Sequence, residues 1–301
     1  MVIAPLQQAL CTDRCRVTSG PEPGNWIVPS LPDGWRLVSF HFFVDWRQTP
    51  LVVADRIWMT RQLRLDLGDT LDNISEDKIL AQFYDGGTFQ EFTELERIVA
   101  PCGQQVSVIL LPEIPVGDIN DDTPMWAIIR GQNGEPQFGK CPVRHLKARI
   151  QHHSGGAVSV GSKGLTYGTS AVECALSKTN AAFPGDADAV IVDDRDRIRY
   201  IVEYKKHTLD APIGEHVVTQ YYPTPDGRKY QRLEALAARY RRSQSSHIPL
   251  VVLYYSTKKP EIRLQHITSM DAKNINIGAD SKNMPDNAHT SSAVVNWLGM
   301  L

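Results

Sequence analysis

Three side chains in the second half of this 301-residue chain have the types and spacing for metal-assisted hydrolysis: Asp188, Glu203 and Lys205. Glu203 and Lys205 stand two apart in the run IVEYKK at 201–206. Side chains alternate across a strand, so both point to one face and Tyr204 to the other. Asp188 directly precedes a second apolar run, AVIV at 189–192. The charged segment DDRDR at 193–197 between the runs reads as a hairpin loop, because Asp tolerates turn geometry and the charges resist burial. Such a hairpin brings Asp188 close to Glu203. Two converging carboxylates suit Mg²⁺, with Mn²⁺ as a substitute, since this ion keeps several waters and also takes phosphate oxygens. An ammonium beside it can orient or help deprotonate an attacking water, and the chemistry that results is phosphodiester hydrolysis.

The elements that must position these groups follow in order. A helix opens near Ser170, strands cover 187–192 and 198–204, helices follow, and further strands cover 248–255 and 261–267. The segment 229–240 places Leu233, Leu236, Ala237 and Tyr240 on one helical stripe, with Lys229, Arg232 and Arg239 on the opposite face. Charge is unevenly distributed along the chain. Residues 1–150 hold 14 Lys and Arg against 19 Asp and Glu, whereas residues 151–301 hold 18 against 15. A nucleic-acid surface, which works by neutralising phosphates and releasing their counterions, is therefore expected in the second half.

Taken together, PGDADAVIV at 184–192 followed by IVEYKK at 201–206 resembles the PD-(D/E)XK nuclease superfamily, which includes restriction endonucleases and many repair and defence nucleases. The resemblance covers about 100 of the 301 residues. It implies a restriction-endonuclease-like α-β-β-α-β core in which Asp188 and Glu203 hold Mg²⁺ and Lys205 stabilises charge or activates water. Asp186 competes for the role of first acid, but Asp188 sits better at the mouth of the strand. Many members carry a Glu on the preceding helix, and Glu173 matches that place, where it would help hold metal-bound water; Ser170 with Glu173 also has the spacing of a capping box. Relatives often use the start of the following helix to touch phosphate or the active-site lysine, which points to Gln231 and Arg232. Lys206, Lys229 and Arg239 are the further expected nucleic-acid contacts. DNA is the preferred substrate, in restriction or defence, with an RNA nuclease or a catalytically silent binding subunit as alternatives. Cleavage of two strands would suit a homodimer.

The chain as a whole reads as α/β, with a mixed α+β domain at 1–155, the nuclease domain at 156–268 and a polar tail at 269–301 that ends in a short docking helix. The boundary rests on the polar, glycine-containing QHHSGG at 151–156. Upstream, 36–44, 106–111 and 125–130 read as strands, and Asn73 with Glu76 and Thr88 with Glu91 have N-cap spacing. Recognition, sensing and partner docking remain open as roles for this half. Five cysteines are odd in number and thinly spread, which argues for reduced thiols. A zinc site is possible in principle if the fold unites Cys11, Cys15, Cys141 and His145. No run approaches the roughly 20 apolar residues of a membrane span, and the N-terminus lacks a basic start and long apolar stretch, so a soluble, cytoplasmic protein without a membrane partner is expected.

Overall fold

The computed structural model describes residues 2–4, 9–11, 23–160, 164–165, 167–208, 210–259, 261–282, 284–285 and 288–301. The fold is mixed α and β and forms two compact units, both discontinuous in sequence. One comprises residues 1–4, 18–39 and 187–301, and the other residues 5–17 and 40–186. Among the described residues no helix is long and apolar enough to cross a membrane.

The unit made largely of the C-terminal half is organised by a sheet. The first motif strand, Gly185–Val192, pairs antiparallel with the second, Ile198–His207, which pairs in parallel with Leu250–Ser256. Glu261–Met270 and Ile275–Asp280 extend it antiparallel. One face of this sheet is a wholly apolar core. Ala189, Ile191, Tyr200, Val202, Val251, Leu253 and Leu264 bury there with Ile27, Leu37, Val294, Trp297 and Leu298. The strands read as near-continuous hydrophobic runs because the other face is covered as well. There the long helix Gly227–Gln244 packs on the second motif strand and on Leu250–Ser256. It buries Tyr230, Leu233, Leu236, Ala237 and Tyr240, which includes the whole predicted stripe.

Residues after Met270, expected as a polar tail, are built into this unit. Ile275–Asp280 is a strand, and the helix Ala288–Leu298 inserts Val294, Trp297 and Leu298 into the core. Burial of three large apolar groups at helical spacing outweighs the polar composition of the linker before them.

In the second unit, Val52–Leu63 pairs antiparallel with the strand that ends at Asp45 and in parallel with Gln105–Pro112. Trp126–Arg130 and Pro136–Lys140 complete the set. The stretch 151–156, read above as a linker, is a helix terminus: Val143–His153 ends there, with Ser154 N–H donating to the Ile150 carbonyl. Gly155 follows at a left-handed φ of 76°, and a Cβ there would lie 1.8 Å from an Asp45 carboxylate oxygen, so only glycine fits. The unit runs on to Asp186. Two expected caps also differ. Ser75, not Asn73, caps Glu76–Asp85, and Gly87 precedes Thr88–Val99 while Glu91 pairs with Arg61 at 2.7 Å.

The thiols correct a further expectation. Cys11 and Cys174 form a disulfide, which removes Cys11 from any zinc set. Cys102 and Cys141 are free and buried, and burial pushes the Cys141 thiol above its usual range, away from the thiolate that binds zinc. Cys15 lies outside the described residues. No group of three His, Cys, Asp or Glu side chains is arranged to hold a metal among the described residues.

Candidate active site

The hairpin does what the alternation requires. Val202 pairs with Ala189, so Asp188 and Glu203 are the next residues along their strands, on the face opposite the apolar core. Asp188 is tied across the hairpin, where its Oδ2 accepts the Tyr204 N–H at 2.7 Å. The Tyr204 ring packs against the apolar core on the other face, as the alternation predicts. Glu203 is fully buried, and neither of its carboxylate oxygens accepts a hydrogen bond of good geometry. Two ammonium groups face it instead, Lys229 Nζ at 2.5 Å from Oε1 and Lys205 Nζ at 3.4 Å. The Lys229 contact is an ion pair by distance but lacks hydrogen-bond alignment. Lys229 Nζ also reaches to 3.8 Å of Asp188 Oδ2, so one cation sits within range of both predicted metal ligands.

Lys205 is held from three sides. Besides Glu203 it meets Asp226 Oδ2 at 2.8 Å, and its ammonium lies 5.6 Å from the centroid of the Tyr230 ring. Asp226 was not anticipated. It stands at the N-cap of the long helix, a position that explains an Asp without further function, yet its side chain caps no helix N–H. Burial pushes the Tyr230 and Tyr254 hydroxyls above their ordinary range, and the adjacent Glu203 and Asp226 push the same way, so both stay protonated.

The remaining predicted residues make other contacts. Lys206 turns to the other face, with its ammonium 6.0 Å from the Tyr255 ring centroid. Gln231 Nε2 donates to the Tyr222 hydroxyl at 3.3 Å. Arg232 and Arg239 are half-buried on the long helix. Glu173 belongs to the second unit, on the helix Ala171–Leu176. Its N–H donates to Ser170 Oγ at 3.1 Å, and its Oε2 accepts both the backbone N–H and the hydroxyl of Thr169.

A small cavity of about 210 Å³ adjoins Lys205. His207 and Tyr254 come to it from neighbouring strands, and His216 and Tyr221 from the segment before the long helix. Sequence reasoning passed over these residues because aromatic and His side chains between strands read as core.

Comparison of the chain with protein-family models, with curated proteins and with solved structures returned no match.

Proposed function

We propose that this protein is a metal-dependent nuclease of PD-(D/E)XK type that hydrolyses phosphodiester bonds, with DNA as the substrate. The observation that carries the reading is Glu203. Burying an ionised carboxylate costs several kcal/mol, and a carboxylate with a purely structural role recovers that cost through aligned donors. Glu203 has none, only cations. Its oxygens, met only by ammonium groups, together with Asp188 on the same face, fit an Mg²⁺ ion, which needs only one or two protein carboxylates and completes its shell with water and phosphate. Lys229 already places positive charge between them.

When bound, the metal would supply Lewis acidity toward a phosphate oxygen and a more acidic water. The protein's part is then specific. Asp188 and Glu203 hold the cation, and the Tyr204 N–H fixes the orientation of Asp188. Lys205, aligned by Asp226 and the Tyr230 ring, places its ammonium where charge develops on the scissile phosphate or beside the attacking water. Lys229 has to yield its place between the carboxylates to the metal, and is then free to meet a phosphate. Restriction or defence against foreign DNA is the biological setting this class suggests.

Lys229 also favours a second reading, in which its ammonium replaces the metal for good and the protein binds nucleic acid without cutting it. One experiment addresses both. Purified protein is incubated with supercoiled, linear and single-stranded DNA and with RNA, in Mg²⁺, Mn²⁺ or EDTA, beside Lys205→Ala and Glu203→Gln. Metal-dependent cutting lost in both variants supports the nuclease and identifies its substrate. Folded protein that binds DNA equally in Mg²⁺ and EDTA and cuts nothing supports the second reading.

A further inference from the structure

Resting on the nuclease reading, the geometry points to the cavity beside Lys205 as a subsite for one unpaired nucleotide of a DNA strand, its base stacked on the His216 and Tyr221 rings and its phosphate toward Lys205. The volume sets the scale. At about 210 Å³ it falls below the roughly 300–1,000 Å³ of pockets for drug-sized ligands and suits a single base. The lining sets the chemistry. His216 and Tyr221 stack nearly parallel, 13° apart, and Tyr254 stands 6.4 Å from each ring centroid. His207 closes on His216 at 4.1 Å. Flat aromatic faces beside a cation are what single-stranded nucleic acid uses, since every base has a π-face and every step a phosphate.

Two further observations mark a built site. The Tyr254 hydroxyl is buried against that of Tyr230, which interacts with it and holds the Tyr254 ring as a fixed wall of the cavity. The segment that carries His216 is also fastened deliberately. Glu261, Arg263 and Gln265 alternate along one strand and each grips it: Glu261 Oε2 accepts Ile213 N–H at 3.2 Å, Arg263 donates to the Gly214 and His216 carbonyls, and Gln265 Oε1 accepts Val218 N–H at 2.9 Å. Arg263 and Gln265 are held in turn by Asp280. Strong polar side chains at three successive same-face positions of a buried strand are explained if they hold the ring wall in place. Burial, reinforced by His207, keeps His216 below the usual histidine range, so its ring is neutral and able to stack near neutral pH.

The test separates this subsite from the nuclease reading. Binding of a short single-stranded DNA containing 2-aminopurine is followed by fluorescence in EDTA, against the same strand in a duplex, for the full chain and for Tyr221→Phe and Tyr221→Leu. Thermal denaturation of each variant checks its folding, and cleavage in Mg²⁺ is measured alongside. The subsite predicts single strands bound at least tenfold more tightly than duplex, Tyr221→Leu weaker by about tenfold, and Tyr221→Phe, which keeps the ring but loses the hydroxyl that meets His216 Nδ1, between wild type and Tyr221→Leu. Equal affinity for single strand and duplex, or a folded Tyr221→Leu that binds as wild type, overturns it, even if the protein cuts DNA. Tyr221-dependent single-strand binding by a protein that cuts nothing in Mg²⁺ keeps the subsite and removes the nuclease. RNA bound in preference to DNA by the same rings would overturn the choice of DNA.

Discussion

The two ends of the motif hairpin concentrate the same kinds of side chain and treat them in opposite ways. At the turn, Asp193 is buried and fully answered: its Oδ1 accepts the Arg195 and Arg197 N–H groups at 2.9 Å each, and its Oδ2 accepts Arg197 Nε at 2.9 Å. Arg36 closes the outside of the turn by donating to the Asp193 carbonyl and the Asp196 carboxylate. At the open end, Glu203 is equally buried and receives no aligned donor. A buried acid with its lone pairs filled is there for the fold. One met only by ammonium groups, without an aligned donor, is the kind of group that marks a candidate functional site.

The largest effect expected from breaking this contrast is on rate. Glu203→Gln or Lys205→Ala lowers DNA cleavage by at least about 10³-fold, because a preorganised charge at the reacting group is lost. Denaturant unfolding of Glu203→Gln shifts by less than about 1 kcal/mol, because no aligned hydrogen bond to Glu203 is removed, whereas Lys205→Ala also loses the bond to Asp226 and costs about 1.5–3 kcal/mol. A variant that unfolds and loses activity in proportion would make Glu203 a structural acid like Asp193. The next effect is metal linkage. Mg²⁺ at a hundred times its dissociation constant stabilises a folded chain that binds it by about 2.7 kcal/mol. Thermal scans should show that gain in the wild type and in Lys205→Ala and miss it in Glu203→Gln. A gain that persists in Glu203→Gln places the ion elsewhere.

How much of this was legible depends on distance along the chain. Asp188, Glu203, Lys205 and the opposed Tyr204 follow from strand alternation, and the buried stripe of the long helix follows from its period, because both are local rules. Asp226 was hidden by its position, since an Asp at a helix start is already accounted for as a cap. Lys229 was grouped with the exposed basic face of its helix, and only the packing of that helix on the sheet turns it inward. The core that Ile27 and Leu37 share with Trp297, and the Cys11–Cys174 bond, join residues too far apart for any pattern in the sequence to pair them. The anchoring of the ring wall by Glu261, Arg263 and Gln265 is invisible for the same reason.

At the turn end the expected effect is on stability alone. Burial by itself would raise the Asp193 pKa, but the Arg197 and Arg195 N–H groups and the Arg197 guanidinium overcome it and hold the carboxyl below the ordinary value of 3.8. A carboxyl depressed in the folded state contributes stability that is complete above its unfolded pKa and is lost as pH falls through the folded one. Asp193→Asn should therefore cost about 2 kcal/mol at pH 7, and the difference from wild type should shrink below about pH 4. Cleavage by the folded variant should match wild type. A cost that stays constant down to acid pH would mean that the carboxylate charge is not what the turn uses.

The smallest effect separates the two possible roles of Glu173. Its carboxylate accepts from Thr169 at the start of a helix, where negative charge also meets the positive end of the helix dipole. Glu173→Gln keeps an acceptor and removes the charge, so it should lower stability by about 0.5–1 kcal/mol and leave cleavage within about twofold of wild type. If the same substitution leaves unfolding unchanged and lowers cleavage a hundredfold, with the Mg²⁺-induced thermal shift reduced, then Glu173 acts on metal-bound water as the sequence resemblance implies. The contrast between satisfied and unsatisfied acids would then need a third kind, an acid that is hydrogen-bonded in the free protein and exchanges that bond for water on the metal.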